Sequence, residues 1–245
     1  MTDSDENKQQ DMRFHTTRWS VVISANDTDS IVARNSLNTL CQTYWYPLYV
    51  YARCQGVAPS DAEDIVQGFF EMFIRKGLLN SVDRDKGRFR SFLLACIKNY
   101  MRNEWQKAKT KKRGGGMHLV SIESGLAEDR FSAYADDKSC PDKLYERSWA
   151  MTLLNQVIKE LQEDYERKGN GDVFQVLKDS LAERKGDVSR SSQAEALGIS
   201  EEAVRVAVHR LRKRYQKFFR KAVADTVGHE EDVDAEMQAL LRALS

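Results

Sequence analysis

The chain has 245 residues, of which 41% are hydrophobic and 31% are charged, enough apolar material for one large or two small packed domains. Only 3 prolines and 13 glycines interrupt it, which argues against a turn-rich all-β fold and favours helices. There is no apolar run of about 18 residues, the acidic start does not resemble a secretory signal, and the cysteines lack a metal-ligand spacing. We therefore expect a cytoplasmic protein with no membrane insertion, no metal and no cofactor.

The net charge of +1 conceals two basic blocks. Lys98–Arg113 holds seven basic residues and one acid, and Arg205–Lys221 holds eight basic residues and no acid. After Ala222 the sign reverses in an acidic tail. A single basic block is as often a solvated helix face as a binding surface. Two blocks at the ends of two helical units favour two contacts with nucleic acid.

The first half of the chain predicts a small helical domain over residues 31–113. A polar extension, residues 1–30, precedes it and includes a short segment, Thr17–Ser24, that can add a helix. Apolar spacing predicts a helix over Ile31–Cys54, kinked or split at Pro47. A capping box of Ser60 and Glu63 predicts the start of a second helix, with its acidic side around Gly68.

A loop, Asn80–Arg88, leads into a third predicted helix with an apolar stripe from Phe89 to Tyr100 and a cationic opposite face. Three glycines at 114–116 end this unit, and residues 114–143 show no sustained period, which predicts a flexible linker. Helical spacing resumes over residues 144–222 and is followed by an acidic tail, residues 223–245, that ends in an amphipathic stretch. The expected fold is all-α, with two small helical domains joined by a flexible linker.

The region around Gly198 has the pattern of a helix-turn-helix. Ser192 and Glu195 form a second capping box that predicts the start of a short helix, and Gly198 is placed to end it with a positive φ. Ser200 is the predicted N-cap of the next helix, whose apolar stripe begins at Val204. An ordinary corner between two helices is the alternative that this pattern leaves open.

The cationic side of the second helix favours DNA binding over a plain helical corner. Such a helix fits the major groove of B-DNA, where an arginine can bond to guanine through two hydrogen bonds. The basic residues further along the helix, from Lys217 to Lys221, are expected to meet phosphates. The positions expected to face outward for DNA are Arg205, His209, Arg210, Arg212 and Lys213.

Three segments resemble the sigma-70 family of bacterial RNA polymerase sigma factors. The run SSQAEALGISEEAVRVAVHRLRKRY (191–215) is similar to the family's C-terminal DNA-binding region. DAEDIVQGFFEMF (Asp61–Phe73) resembles its polymerase-binding helix, and GRFRSFLLACIKNYMRNEWQKAKTKKR (Gly87–Arg113) resembles the adjoining promoter-melting helix. With only these two domains, in this order, the chain resembles the extracytoplasmic-function (ECF) subgroup of that family. The resemblance covers roughly residues 31–113 and 144–222.

The resemblance implies a non-enzymatic transcription initiation factor that binds core RNA polymerase and directs promoter recognition and DNA melting. The loop Asn80–Arg88 matches the part that can hold an unstacked base. The residues that match the helix docking on the polymerase clamp coiled coil are Asp61, Asp64, Gln67, Phe70 and Glu71. Those that match the proximal promoter contact are Lys98, Asn99, Arg102, Asn103 and Lys107, and those that match the distal contact are Arg205, Val206, His209, Arg210, Arg212 and Lys213.

The acidic tail after residue 225 departs from the subgroup's pattern. One hypothesis is that it folds onto the basic helix Arg205–Lys221 and weakens DNA binding; the alternatives are a solvated tail or one extra packed helix. The subgroup resemblance adds an anti-sigma factor as a candidate partner.

Two other functions compete with a sigma factor. A helix-turn-helix transcriptional regulator would explain residues 192–221 but neither the DAEDIVQ segment nor the basic third helix. An enzyme acting on nucleic acid needs clustered carboxylates or an activated nucleophile. The acids of Asp61–Glu71 are far more typical of a solvated or partner-binding face. The chain also lacks a phosphate-binding loop of the GxxxxGK type, so we expect no catalytic residues.

Overall fold

The computed structural model describes residues 31–83, 87–110, 124–132, 140–181, 190–227 and 229–244, together with Val22 and Ala25. All regular structure in these ranges is helical, which confirms the all-α prediction. The chain divides into two compact units. Unit 1 comprises residues 1–152 and 224–245, and unit 2 comprises residues 153–223. These limits differ from the expected domain boundaries, because unit 1 extends to residue 152 and also includes the C-terminal residues.

Unit 1 begins with helices α1 (Ile31–Cys54) and α2 (Pro59–Arg75). Helix α1 runs through Pro47 without interruption, so the expected split does not occur. Helix α2 has Pro59 in its first turn after an extended Ala58, and no side chain caps it. Proline suits this position because its missing N–H has no partner in the first helical turn. The predicted capping box is therefore wrong, and Ser60 lies inside the helix.

A 3₁₀ helix (Leu78–Ser81) and helix α3 (Phe89–Thr110) follow, and aromatic side chains fill the core between the three helices. The rings of Phe69 and Tyr100 meet edge to face at 6.0 Å between centroids. Gly68 lies against Tyr100, since a Cβ atom at residue 68 would come within 2.5 Å of the Tyr100 hydroxyl oxygen. The expectation that Gly68 belongs to the exposed side of α2 is thus wrong.

The segment expected to be a linker contains helix α4 (Ser124–Ser132), which packs in unit 1. Its Ala127 and Phe131 are buried. The Glu128 carboxylate accepts hydrogen bonds from Arg53 at 2.6 and 3.0 Å and from the Tyr49 hydroxyl at 2.6 Å. The prediction of no regular structure is therefore wrong for these nine residues. A nine-residue pattern with two apolar anchors is too short for periodicity to detect.

Helix α5 (Pro141–Arg167) starts in unit 1 and continues into unit 2. Unit 2 adds helix α6 (Gly171–Leu177), a 3₁₀ helix (Lys178–Leu181), helix α7 (Arg190–Leu197) and helix α8 (Glu201–Ala224). The buried residues of its core are aliphatic, with one phenylalanine among them. The buried members are Leu161, Phe174, Leu177, Ala194, Val204, Val208 and Leu211.

The C-terminal residues form a 3₁₀ helix (Glu230–Asp232) and helix α9 (Val233–Leu244), which pack in unit 1. Val233 and Leu240 supply the apolar contacts. The alternative of one extra packed helix is therefore confirmed for the acidic tail. Glu236, one of the acids of this tail, is buried within unit 1, and the hypothesis that the tail covers Arg205–Lys221 stays a prediction.

Arg90 is the centre of a buried ionic cluster in unit 1. Its side chain is 2% exposed and contacts the Glu236 carboxylate, which is fully buried, and Glu146 at 2.6 Å. The guanidinium also stacks over the Trp149 ring at 4.4 Å. Burial alone would lower the pKa of Arg90, but the two carboxylates outweigh it and the pKa is raised. Arg88 Nε lies 2.7 Å from Glu236 Oε2, as an ion pair without hydrogen-bond geometry.

Several predicted segments lie outside the described residues: Thr17–Ser24 except Val22, the middle of the Asn80–Arg88 loop (84–86), residues 111–123 with the three glycines, and residues 182–189. Among the helices that the structure describes, none is both long and apolar enough to cross a membrane.

Replacing Glu236 with alanine is expected to lower the free energy of unfolding by about 3–5 kcal/mol, because it leaves buried Arg90 short of a counter-charge. Chemical denaturation followed by tryptophan fluorescence measures this, since Trp149 lies under Arg90. Glu231→Ala is the control, because Glu231 is exposed on the preceding 3₁₀ helix. Equal stability of the two variants would contradict the assignment of Glu236 to the core.

Acid is expected to release α4 from unit 1. The hydrogen bonds donated by Arg53 lower the pKa of Glu128 below its ordinary value. A depressed folded-state pKa gives stability that is present above the unfolded-state pKa and is lost as the pH falls through the folded-state pKa. Protection of the α4 amides from hydrogen exchange, corrected for intrinsic rates, should drop in that range. Glu128→Gln should show weaker protection of the α4 amides at all pH values and no drop in acid. If the unaltered chain and the variant lost protection at the same pH, other carboxyl groups would cause the transition.

Candidate nucleic-acid interface

The turn between α7 and α8 is built by local hydrogen bonds. Gly198 has φ +63°, a left-handed conformation that glycine adopts without strain. The Ile199 amide donates to the Ala194 carbonyl at 3.1 Å, and the Gly198 amide donates to the Glu195 carbonyl at 3.2 Å. This pair of bonds is the Schellman motif that ends many helices. The predicted helix end at Gly198 is confirmed, whereas α7 begins at Arg190 instead of being capped at Ser192.

Helix α8 begins as predicted. The Ser200 hydroxyl accepts a hydrogen bond from the Ala203 amide at 3.2 Å, which satisfies one of the unpaired N–H groups of the first turn. Glu201 and Glu202 lie in that turn, where their charges interact favourably with the positive end of the helix dipole. The local sequence therefore fixes both the start of α8 and the turn before it.

Buried polar bonds hold the 3₁₀ helix against α7 and α8. The Gln193 amide donates to the Ser180 hydroxyl at 3.0 Å and to the Val176 carbonyl at 3.1 Å. The Arg212 guanidinium donates to the Ser180 carbonyl at 3.0 and 2.7 Å through Nε and Nη2. Because buried carbonyls are costly to leave unpaired, Arg212 stabilises the unit. The Arg212 guanidinium is therefore directed at Ser180 and not outward as expected, and its contact with DNA stays a prediction.

A second ionic contact fixes α8 against α5. Asp164, largely buried, lies 2.5 Å from the Arg214 guanidinium and 2.9 Å from the Lys168 ammonium. Arg214 also lies over the Tyr165 ring. Two cations of the basic block Arg205–Lys221, Arg212 and Arg214, therefore make contacts inside unit 2.

The remaining distal residues form one exposed face of α8, opposite the buried stripe of Val204, Val208 and Leu211. Arg205 Nη1 lies 2.9 Å from Glu202 Oε2, and both side chains are more than half exposed. The pair orients the guanidinium along the helix while leaving it accessible. The exposed members of the face are Arg205, Val206, His209, Arg210 and Lys213.

The proximal residues lie on the exposed side of α3 in unit 1, with one exception. Asn99, Arg102, Asn103 and Lys107 are exposed. Lys98 is half-buried, with its ammonium 2.5 Å from the Asp142 carboxylate of α5. This hydrogen bond raises the pKa of Lys98. In this structure Lys98 joins α3 to α5, so the polar face available for a ligand begins at Asn99.

The predicted polymerase-binding residues lie on α2 in unit 1, and four of the five are exposed: Asp61, Asp64, Gln67 and Glu71. The Gln67 amide donates to the Glu71 carboxylate at 3.3 Å. Phe70 is 9% exposed and packs against Phe69 with 5.5 Å between ring centroids. In this structure Phe70 belongs to the core, and its contact with polymerase stays a prediction.

The sequence did not single out Arg90, Glu146 or Glu236, which form the ionic cluster beside the end of the Asn80–Arg88 loop. An arginine inside the apolar pattern of α3, between Phe89 and Phe92, was the one available signal. Within the described residues, no group of three or more histidine, cysteine, aspartate or glutamate side chains is arranged to hold a metal ion.

Searches against protein-family models, curated proteins and solved structures found no match to this chain.

Replacing Arg212 with alanine is expected to lower the free energy of unfolding by about 1–3 kcal/mol, because the buried Ser180 carbonyl loses its two donors. Lys213→Ala is the matched control, since the neighbouring cation is exposed. Thermal unfolding of both variants by circular dichroism checks the difference. If Lys213→Ala destabilised the protein as much, the contact with Ser180 would not be the stabilising one.

Proposed function

We propose that this chain is a sigma subunit of the sigma-70 type: it binds core RNA polymerase, recognises promoter DNA through two separate surfaces and assists in melting it. The single observation that carries the proposal is the exposed cationic face of α8, placed directly after a short helix, a glycine turn and a serine N-cap. The N-terminal half of such a helix can enter the major groove and contact base edges.

A second polar surface in the other unit supports a two-contact function. The face of α3 from Asn99 to Lys107 combines cations with amide side chains. Cations bind phosphates and amides can bond to base edges, so this composition fits DNA. A regulator with a single helix-turn-helix would not require this second surface.

The exposed acids of α2 supply the surface proposed for polymerase. Asp61, Asp64 and Glu71 lie on one side of an amphipathic helix whose other side packs in the core of unit 1. The resemblance assigns this side to the clamp coiled coil, and an acidic face complements a basic partner surface. Binding of both units to polymerase would hold two weak DNA contacts at high effective concentration.

In this proposal, the polymerase supplies the chemistry and the chain supplies promoter recognition. Contacts between Arg or Lys side chains and phosphates release counterions, so promoter binding should weaken steeply as salt rises.

The test is a binding and transcription assay with the full chain and purified bacterial core RNA polymerase on a promoter library from the source genome. Stable binding together with new sequence-specific transcription starts is the expected result. If the chain binds specific duplexes but no core polymerase, the sigma proposal is overturned in favour of a helix-turn-helix regulator.

Reversing two charges on α2, Asp61→Lys with Asp64→Lys, is expected to weaken binding to core polymerase by about ten-fold or more, because like charges would then face each other. Both side chains are exposed, so the fold should be retained. Asp129→Lys on α4 is the control, as an exposed acid of the same unit. Equal loss in the control would indicate a general charge effect in place of a specific interface.

A further inference from the structure

Val206 is an apolar side chain in the middle of the exposed face of α8. Its side chain is 43% exposed, although it is an aliphatic residue. At about 100° per residue, it lies about 160° from both Val204 and Val208. Those two valines are buried in the core of unit 2. Val206 therefore points away from that core and contributes nothing to it.

The surroundings of Val206 define the chemistry of what it can meet. The residues one helical turn away are Glu202, Ala203, His209 and Arg210, and all four are exposed. Val206 and Ala203 thus form a small apolar spot, bordered by Arg205, His209 and Arg210 and by one acid, Glu202, which is paired with Arg205. A partner that fits this spot must be anionic over its extent and must present one small apolar group.

The major groove of DNA meets both conditions. Phosphates line its edges, and the C5-methyl of thymine is the one apolar group that base pairs present on its floor. Val206 is the sixth residue of α8, within the N-terminal half that reaches base edges in helix-turn-helix complexes. A β-branched side chain has few rotamers, so little conformational entropy is lost when it packs against a methyl group.

We propose that Val206 is a specificity-determining residue that packs against the C5-methyl group of a thymine in the distal DNA element. The inference rests on the proposed DNA binding by α8 and adds the identity of one base. Arg205, its neighbour, acts by hydrogen bonding and does not detect the methyl group.

The experiment begins by selecting bound duplexes from a random library with the full chain, both alone and assembled with core RNA polymerase. In the selected element, each thymine is then replaced by deoxyuridine, which removes the methyl group and leaves every hydrogen-bonding group in place. Affinity is measured for the unaltered chain, for Val206→Ala and for Arg205→Ala.

One thymine is expected at which deoxyuridine lowers the affinity of the unaltered chain by about four-fold, the equivalent of one methyl-sized group returned to water. Val206→Ala should bind the thymine duplex about as weakly as the unaltered chain binds the deoxyuridine duplex. Replacing that thymine with deoxyuridine should not change the affinity of Val206→Ala. Arg205→Ala, the matched control, should bind less tightly overall but keep the four-fold preference for thymine. Unchanged circular dichroism of Val206→Ala excludes a folding defect.

The inference is overturned if no deoxyuridine replacement weakens binding, if Val206→Ala keeps the full methyl preference, or if neither preparation selects a specific duplex. Its failure is separable from that of the proposed function. Methyl-dependent binding by the chain alone, without polymerase binding, would keep the role of Val206 and reject the sigma function. Polymerase-dependent transcription without methyl dependence would keep the sigma function and reject the role of Val206.

Discussion

The fold of unit 1 depends on how it accommodates a buried guanidinium. Arginine cannot shed its charge in a protein, and a buried charge is tolerated only when it is paired. Arg90 obtains its partners from Glu146, 56 residues later, and from Glu236, 146 residues later. The ionic cluster of unit 1 therefore joins residues from both sides of unit 2 in the sequence.

The pairing of charges inside each unit also sets how many cations of each basic block remain exposed. Arg212 serves the buried Ser180 carbonyl, Arg214 pairs with Asp164, and Lys98 pairs with Asp142. Charge counted along the sequence therefore overstates the charge presented to a ligand. The cations that remain exposed on α8 lie on the side opposite its apolar stripe, so the helix has one face packed in the core and one exposed cationic face.

The features that the sequence predicted correctly are those set by neighbours within about five residues. The helix end at Gly198 and the cap at Ser200 depend on backbone bonds inside one turn. Two local predictions failed, because the helices start at Pro59 and Arg190 and not at the predicted capping boxes. The other features it missed depend on partners far along the chain. Periodicity marked Arg212 as an outward position, and the resemblance assigned Phe70 to the polymerase contact. The packing of both side chains depends on neighbouring helices whose arrangement no local pattern encodes. The docking of α4 likewise depends on a distant partner, because Glu128 binds Arg53.

The acidity of the C-terminal tail has a local explanation. Glu236 neutralises Arg90 and Arg88. Glu230, Glu231 and Asp232 precede α9 on the adjoining 3₁₀ helix, where negative charge interacts favourably with the N-terminal end of a helix dipole. The tail's charge thus serves the folding and docking of α9 within unit 1. This explanation of the tail's charge needs no contact outside unit 1.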